Sequence, residues 1–188
     1  MSEEKINIQK RKRDLALVLD LELATWKGRP PKGQRRDIIE IGVATFNFHN
    51  GNVEKKESIF VKPQNAEISD FCTELTGITQ EQLDDVGITI QEAMRRLWKR
   101  YESNKRMWMS WGENDRNYIR KECVDYGIQN PMHIGYLDVR DLFISKYNYE
   151  PALGTALQEV GLEFEGLEHS GVSDAYNTAR LYKSLIGK

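Results

Sequence analysis

Residues 14–23 read Asp-Leu-Ala-Leu-Val-Leu-Asp-Leu-Glu-Leu, with a leucine at every odd position from Leu15 to Leu23. Apolar residues at a period of two predict a β-strand with one wholly apolar face. On the even face, Ala16 and Val18 give way to Asp20 and Glu22, so a central strand runs out into an acidic opening. Residues 26–36 are basic and punctuated by Pro and Gly, which marks a loop. Residues 38–49 are again β-rich, and Asn50-Gly51 is a hairpin signal leading into a third strand over 53–61. The chain therefore opens with a three-stranded antiparallel meander.

Further on, the period changes. Residues 69–83 predict short helical turns broken at Thr76-Gly77, and 89–104 has helical spacing through Ile90, Met94, Leu97 and Trp98. A strand over 106–111, a helix over 114–126 and a strand over 133–139 follow, with helices near 140–146, 152–160 and 173–185. A meander followed by alternating helix and strand predicts an α/β fold with a mixed sheet flanked by helices. A polar lead-in over 1–13 and a single domain over 14–188 are expected. Trp98, Trp108 and Trp111 fall in apolar stretches and are expected in the core, whereas Asp138 and Asp141 read as structural.

Composition narrows the function. The 188 residues are 39% hydrophobic and 30% charged, within the ordinary range of globular domains. With 27 basic and 29 acidic residues the net charge is −2, too small for holding nucleic acid by bulk charge alone. No apolar run approaches the roughly 18 residues of a membrane span, and 1–13 has no apolar signal-peptide core. Cys72 and Cys123 are the two cysteines, which points to a reducing, cytoplasmic setting rather than a thiolate metal cluster.

Asp20 and Glu22, two apart on a strand, project to the same side. Two ionised carboxylates so close repel unless a proton or cation intervenes, and hard oxygen ligands suit Mg²⁺ or Mn²⁺. A solvated sheet edge carries the same triplet by chance, but a buried strand end is a costly place for two idle charges. Asp115 opens a predicted helix, where serving the helix dipole is an equal alternative. Asp174 likewise opens the last helix, five residues after His169, a loop histidine that taken alone reads as a surface residue.

In this order, at strand ends and helix starts, these residues resemble the DnaQ-like 3′→5′ exonucleases of the DEDDh type, within the ribonuclease H-like fold. Asp20 and Glu22 match the family's Asp-x-Glu strand motif, WGENDRNYI places Asp115, and HSGVSDAYNTA supplies His169 and Asp174. Between them, ISDFCTELTGITQ is similar to the substrate-side helix and loop of the subgroup that trims histone mRNA and small interfering RNA. The likeness spans about residues 14–186. It implies substrate contacts at Leu75, Thr76, Gly77 and Ile78, although on periodicity alone Phe71, Leu75 and Ile78 belong to the core. Many relatives carry Thr two residues after the motif glutamate. Here Ala24 stands there with Thr25 next, which leaves a backbone contact but implies no hydroxyl contact.

The resemblance implies two divalent ions, with Asp20 bridging, Glu22 and Asp174 completing the site of the attacking water, Asp115 on the second ion, and His169 as general base. The expected partner is the 3′ end of single-stranded RNA or DNA, with RNA favoured, and both monomers and homodimers occur among relatives. Lys27, Arg29, Lys32, Arg35 and Arg36 read equally as phosphate contacts or as a solvated basic loop. A non-catalytic binding module and a nucleotide phosphatase are the competing readings. The first has no need of His169, and the second no use for the Leu75–Ile78 segment.

Overall fold

The computed structural model describes residues 11–187. Its strands are β1 (Lys12–Leu23), β2 (Ile38–Asn47), β3 (Val53–Phe60), β4 (Arg106–Ser110) and β5 (Tyr136–Asp138), in the sheet order β3-β2-β1-β4-β5. The β1–β2 and β2–β3 pairs are antiparallel, and β1–β4 and β4–β5 are parallel. The expected meander and mixed sheet are both present. β1 begins at Lys12, two residues before the expected boundary, and residues 1–10 of the polar lead-in lie outside the described residues.

The helices are α1 (Asp70–Thr76), α2 (Gln80–Val86), α3 (Ile90–Tyr101), α4 (Asn114–Asp125), α5 (Val139–Tyr147), α6 (Leu153–Glu159) and α7 (Gly171–Leu185). Ser69, Thr79 and Thr89 cap α1, α2 and α3, each side chain accepting an amide three residues on. Gly77, at φ 74°, ends α1 in the left-handed conformation that glycine adopts at least cost.

Both faces of β1 are covered. Its odd residues Leu17 and Leu19 pack with Ile41 and Val43 against Met94, Leu97 and Ile119 from α3 and α4. The even residues Ala16 and Val18 lie with Ala44 and Met109 under Ala175 and Ala179 of α7. Small side chains on both sides of that second interface bring α7 close to the sheet. Asp20 and Glu22 continue the even row, so they emerge on the face that α7 covers.

Two expectations are corrected. Trp108 is 3% exposed, its indole N–H donating to the His133 carbonyl, but Trp98 is 40% exposed. The buried stripe of α3 is Ile90, Ala93, Met94, Leu97 and Tyr101, and Trp98 falls one step past it, beneath the Lys99 ammonium. β5 is also shorter than expected. Gly135 donates its amide to His133 Nδ1, which makes a turn, and Asp138 caps α5 by accepting the amides of Arg140 and Asp141.

Candidate active site

The β1–β4 ladder runs to Val18–Met109, beyond which β4 turns away at Gly112 (φ 94°). Freed of that partner, the Leu21 amide donates to Asp115 Oδ1 at 3.0 Å, tying the first turn of α4 to β1. Across β2 the register sets Asp20 opposite Gly42 and Glu22 opposite Glu40. A Cβ at Gly42 would overlap the Gly171 carbonyl, so glycine at 42 is what admits the start of α7. One turn into that helix stands Asp174.

As a result, Asp20, Glu22 and Asp174 each offer a carboxylate oxygen, and these atoms lie within 4.8 Å of one another. Burial, and then the charges of Asp115, Asp174, Glu22 and Glu40, raise Asp20 well above its ordinary value. Burial with Asp174, Glu40 and Asp115 pushes Glu22 up to about 9. Asp174 rises to about 7 through burial, against a hydrogen bond from the His169 backbone amide. Asp115, 7% exposed, also rises to about 7 through burial, opposed by the Leu21 amide and the Ser110 hydroxyl. The charges acting most on Asp20 and Glu22 are all negative. Carboxylate oxygens gathered in this way form the donor set that a hard divalent cation suits.

Asp115 stands outside the group of three within 4.8 Å and joins it through its charge and its bond to β1. His169 is exposed, with φ 61°, a left-handed conformation in which histidine is enriched among non-glycine residues. Together with Asp174, Glu168, Phe164 and Leu153 it lines a cleft of about 310 Å³. The five residues singled out from the motifs thus converge on one end of the sheet.

The substrate-side residues divide. Ala24 is buried, and Thr25 accepts the Ser69 hydroxyl on its carbonyl at 2.6 Å, docking the start of α1 beside the end of β1. Thr76 is spent inside α1, its hydroxyl donating to the Cys72 carbonyl and accepting the Ile78 amide. Ile78 is 3% exposed against Cys72, Leu83, Ala24 and Ile39. Gly77, Leu75 and Phe71 are exposed, so the apolar surface that α1 offers to solvent is Phe71 and Leu75. In the basic loop, Arg35 is bound to Asp37, Glu122 and Asp125, whereas Lys27, Arg29, Lys32 and Arg36 are exposed.

Glu40 is the residue that motif reading missed. It is 2% exposed and accepts hydrogen bonds from the Gly171 amide (3.0 Å), the Val172 amide (3.3 Å) and the Ser58 hydroxyl (2.6 Å). Its signal was in plain view: one acid inside the apolar strand Ile-Ile-Glu-Ile.

A mixed sheet with acidic residues on the central strand and on the flanking helices, and a histidine before the last helix, is the arrangement that the resemblance to DEDDh nucleases implies. The chain belongs to the exonuclease family, which it matches over residues 17–182. It is 32% identical over 193 residues to the 3′-5′ exonuclease Snipper of Drosophila melanogaster, covering 90% of this chain and 68% of that one. With ERI1 exoribonuclease 2 of Xenopus laevis it shares 31% over 195 residues, covering 90% of this chain but 28% of that protein. The solved nuclease domain of 3′hExo, a DEDDh family member bound to rAMP, superposes with a TM-score of 0.82 at 26% identity, covering 95% and 94% of the two chains. The ribonuclease H-like fold expected from the motifs is borne out, and membership in this family implies divalent metal ions.

Proposed function

We propose that this chain hydrolyses single-stranded nucleic acid from the 3′ end, RNA in preference to DNA, and releases 5′-mononucleotides with two Mg²⁺ or Mn²⁺ ions. The observation that carries the reading is the gathering of Asp20, Glu22 and Asp174, where the largest charges acting on Asp20 and Glu22 are all negative. Asp20, Glu22 and Asp174 would hold one ion, with Asp20 shared and Asp115 serving the second. Bound there, the ions lower the pKa of water and offset charge at phosphorus and on the departing 3′-oxygen.

The protein's own residues do the rest. His169, at the mouth of the cleft beside Asp174, accepts the proton of the attacking water, a role suited to an imidazole with a reference pKa of about 6.5. Exposed Phe71 and Leu75 give the terminal bases an apolar surface to stack on, a contact that tolerates any base. Lys27, Arg29, Lys32 and Arg36 are exposed on the loop leaving β1 and would meet backbone phosphates of the strand. The preference for RNA is supported by the relatives named as exoribonucleases and by the rAMP held by 3′hExo.

Matched, end-labelled RNA and DNA oligonucleotides with Mg²⁺ or EDTA test this reading. Stepwise 3′ shortening, faster on RNA and abolished by chelator, is expected. An intact oligomer that nevertheless binds would support a binding module, and release of terminal phosphate alone a phosphatase.

A further inference from the structure

We propose that Glu40 is a positioning residue for this reaction: its carboxylate anchors the start of α7 to β2 and so sets Asp174 against Asp20 and Glu22. The inference rests on the metal-dependent reading given above.

Within Ile38–Phe46, Glu40 is the single charged residue, and it forms no ion pair with any described residue. A carboxylate buried without a counter-ion is costly unless donors surround it. Three do. Gly171 N–H reaches Oε2, while Val172 N–H and the Ser58 hydroxyl reach Oε1. The two amides belong to the first turn of α7, whose N-cap Ser170 makes no side-chain capping bond. Such amides have no partner inside the helix and carry the positive end of its dipole. Ser69, Thr79 and Thr89 do this work locally for α1, α2 and α3, whereas α7 takes its cap from a residue 131 positions away.

A local cap ties a helix to its own chain, whereas Glu40 ties α7 to the strand beside β1. Glu40 faces Glu22 in the register and Gly42 faces Asp20, so the residues that seat α7 are the neighbours of both β1 carboxylates. Asp174 follows Val172 by two residues in the same turn. A Cβ at Gly171 would come within 3.1 Å of the Asp20 carbonyl and 3.2 Å of the Gly42 amide, so helix and strand meet backbone on backbone. A neutral side chain would fill the space without repelling Glu22. Glutamine cannot replace the anchor, because donors converge on both oxygens and its NH₂ would face one of them.

The test uses the full chain with Glu40→Gln and Glu40→Asp. Mn²⁺ affinity is measured calorimetrically without nucleic acid, and kcat and KM on a labelled RNA oligonucleotide. For Glu40→Gln, Mn²⁺ affinity and kcat are expected to fall about 10–100-fold with KM unchanged, the usual effect of removing a group that orients a metal ligand. Glu40→Asp keeps the charge but retracts it by a methylene, and falls in the same direction by less; it decides the matter if the glutamine variant does not fold. Unchanged Mn²⁺ affinity and kcat in both variants, or a loss carried by KM alone, overturns the proposal. A parent chain that binds no Mn²⁺ and leaves the oligonucleotide intact overturns the functional reading instead.

Discussion

Two groups of acids occupy this molecule, and they have opposite surroundings. Asp37, Glu122 and Asp125 surround Arg35, whose guanidinium also lies 4.9 Å from the Tyr126 ring centroid. Asp37 additionally accepts the amides of Gln64 and Asn65 at 2.9 and 2.7 Å. Burial alone would lower the Arg35 pKa, but the Asp37 hydrogen bond and the charges of Glu122 and Asp37 raise it above the ordinary value. This cluster carries its own cation and locks the basic loop onto α4. Asp20, Glu22, Asp115 and Asp174 have different surroundings: burial raises all four, and on Asp20 and Glu22 the charges of the other acids add to it. Where a side chain closes the charge, the acids are architecture. Where like charges gather instead, a cation from solution is the counter-charge that the proposed function calls for.

The largest effect expected from disturbing this contrast is loss of cleavage in Asp20→Asn. This variant should reduce oligonucleotide digestion to the level seen in EDTA and remove the rise in unfolding temperature that Mg²⁺ gives the parent. Continued hydrolysis in excess chelator would sink the two-ion mechanism. Next comes His169→Ala, with kcat expected to fall about 10²–10⁴-fold, the usual worth of a positioned proton acceptor. Mg²⁺-induced stabilisation should survive, since an exposed loop side chain buries little area. The parent's rate should rise with pH through the histidine pKa, and that rise should vanish or move in the variant. Near-parental turnover would make His169 a bystander.

In the other cluster, Arg35→Ala should lower unfolding free energy by about 2 kcal/mol, read by urea titration, because it removes the ion-pair partner of buried Glu122; partial exposure of Arg35 keeps this below a fully buried pair. Its Mn²⁺ affinity should match the parent's, and a large drop there would erase the division between the two clusters.

The pH dependence sharpens the contrast further. Glu22 titrates at about 9 and Asp115 and Asp174 at about 7, all raised by burial, with like charge adding to it. Between roughly pH 4 and 9 the folded state therefore keeps protons that the unfolded chain has released, so stability falls as pH rises. The unfolding temperature in EDTA should drop across that window, and Mg²⁺ should reverse the drop at its alkaline end. A flat profile would mean that the carboxylates do not hold their protons as their burial requires. The smallest effect belongs to the exposed cations. Lys27→Ala with Arg29→Ala should raise KM a few-fold and flatten the salt dependence, by about one unit of slope for each phosphate that is no longer neutralised. An unchanged slope would leave the loop merely solvated.

Much of this is legible in the chain itself. Alternating leucines announce β1, and the same period places Asp20 and Glu22 on one side of it. Asn50-Gly51 sets the hairpin, and His169, Asp174 and Asp115 stand at helix entrances where motif spacing can find them. Local periodicity has a short reach, however. Trp98 reads as core because it lies four residues from Met94, but the stripe of α3 passes it by one step. Periodicity likewise assigns Phe71, Leu75 and Ile78 to the core, yet only Ile78 is buried, against Cys72 and Leu83, while Phe71 and Leu75 are exposed.

What the sequence alone determined is the inventory: which residue types exist, which share a strand face, and which begin a helix, because these follow from backbone periods and capping within a few positions. Only the tertiary structure decided which acids lack a counter-charge. Arg35 reaches Glu122 across 87 positions, and Glu40 holds the amide of Gly171 across 131. Electrostatics acts through space and burial amplifies it. The identity of a charge is therefore written in the chain, while its partner is settled by packing.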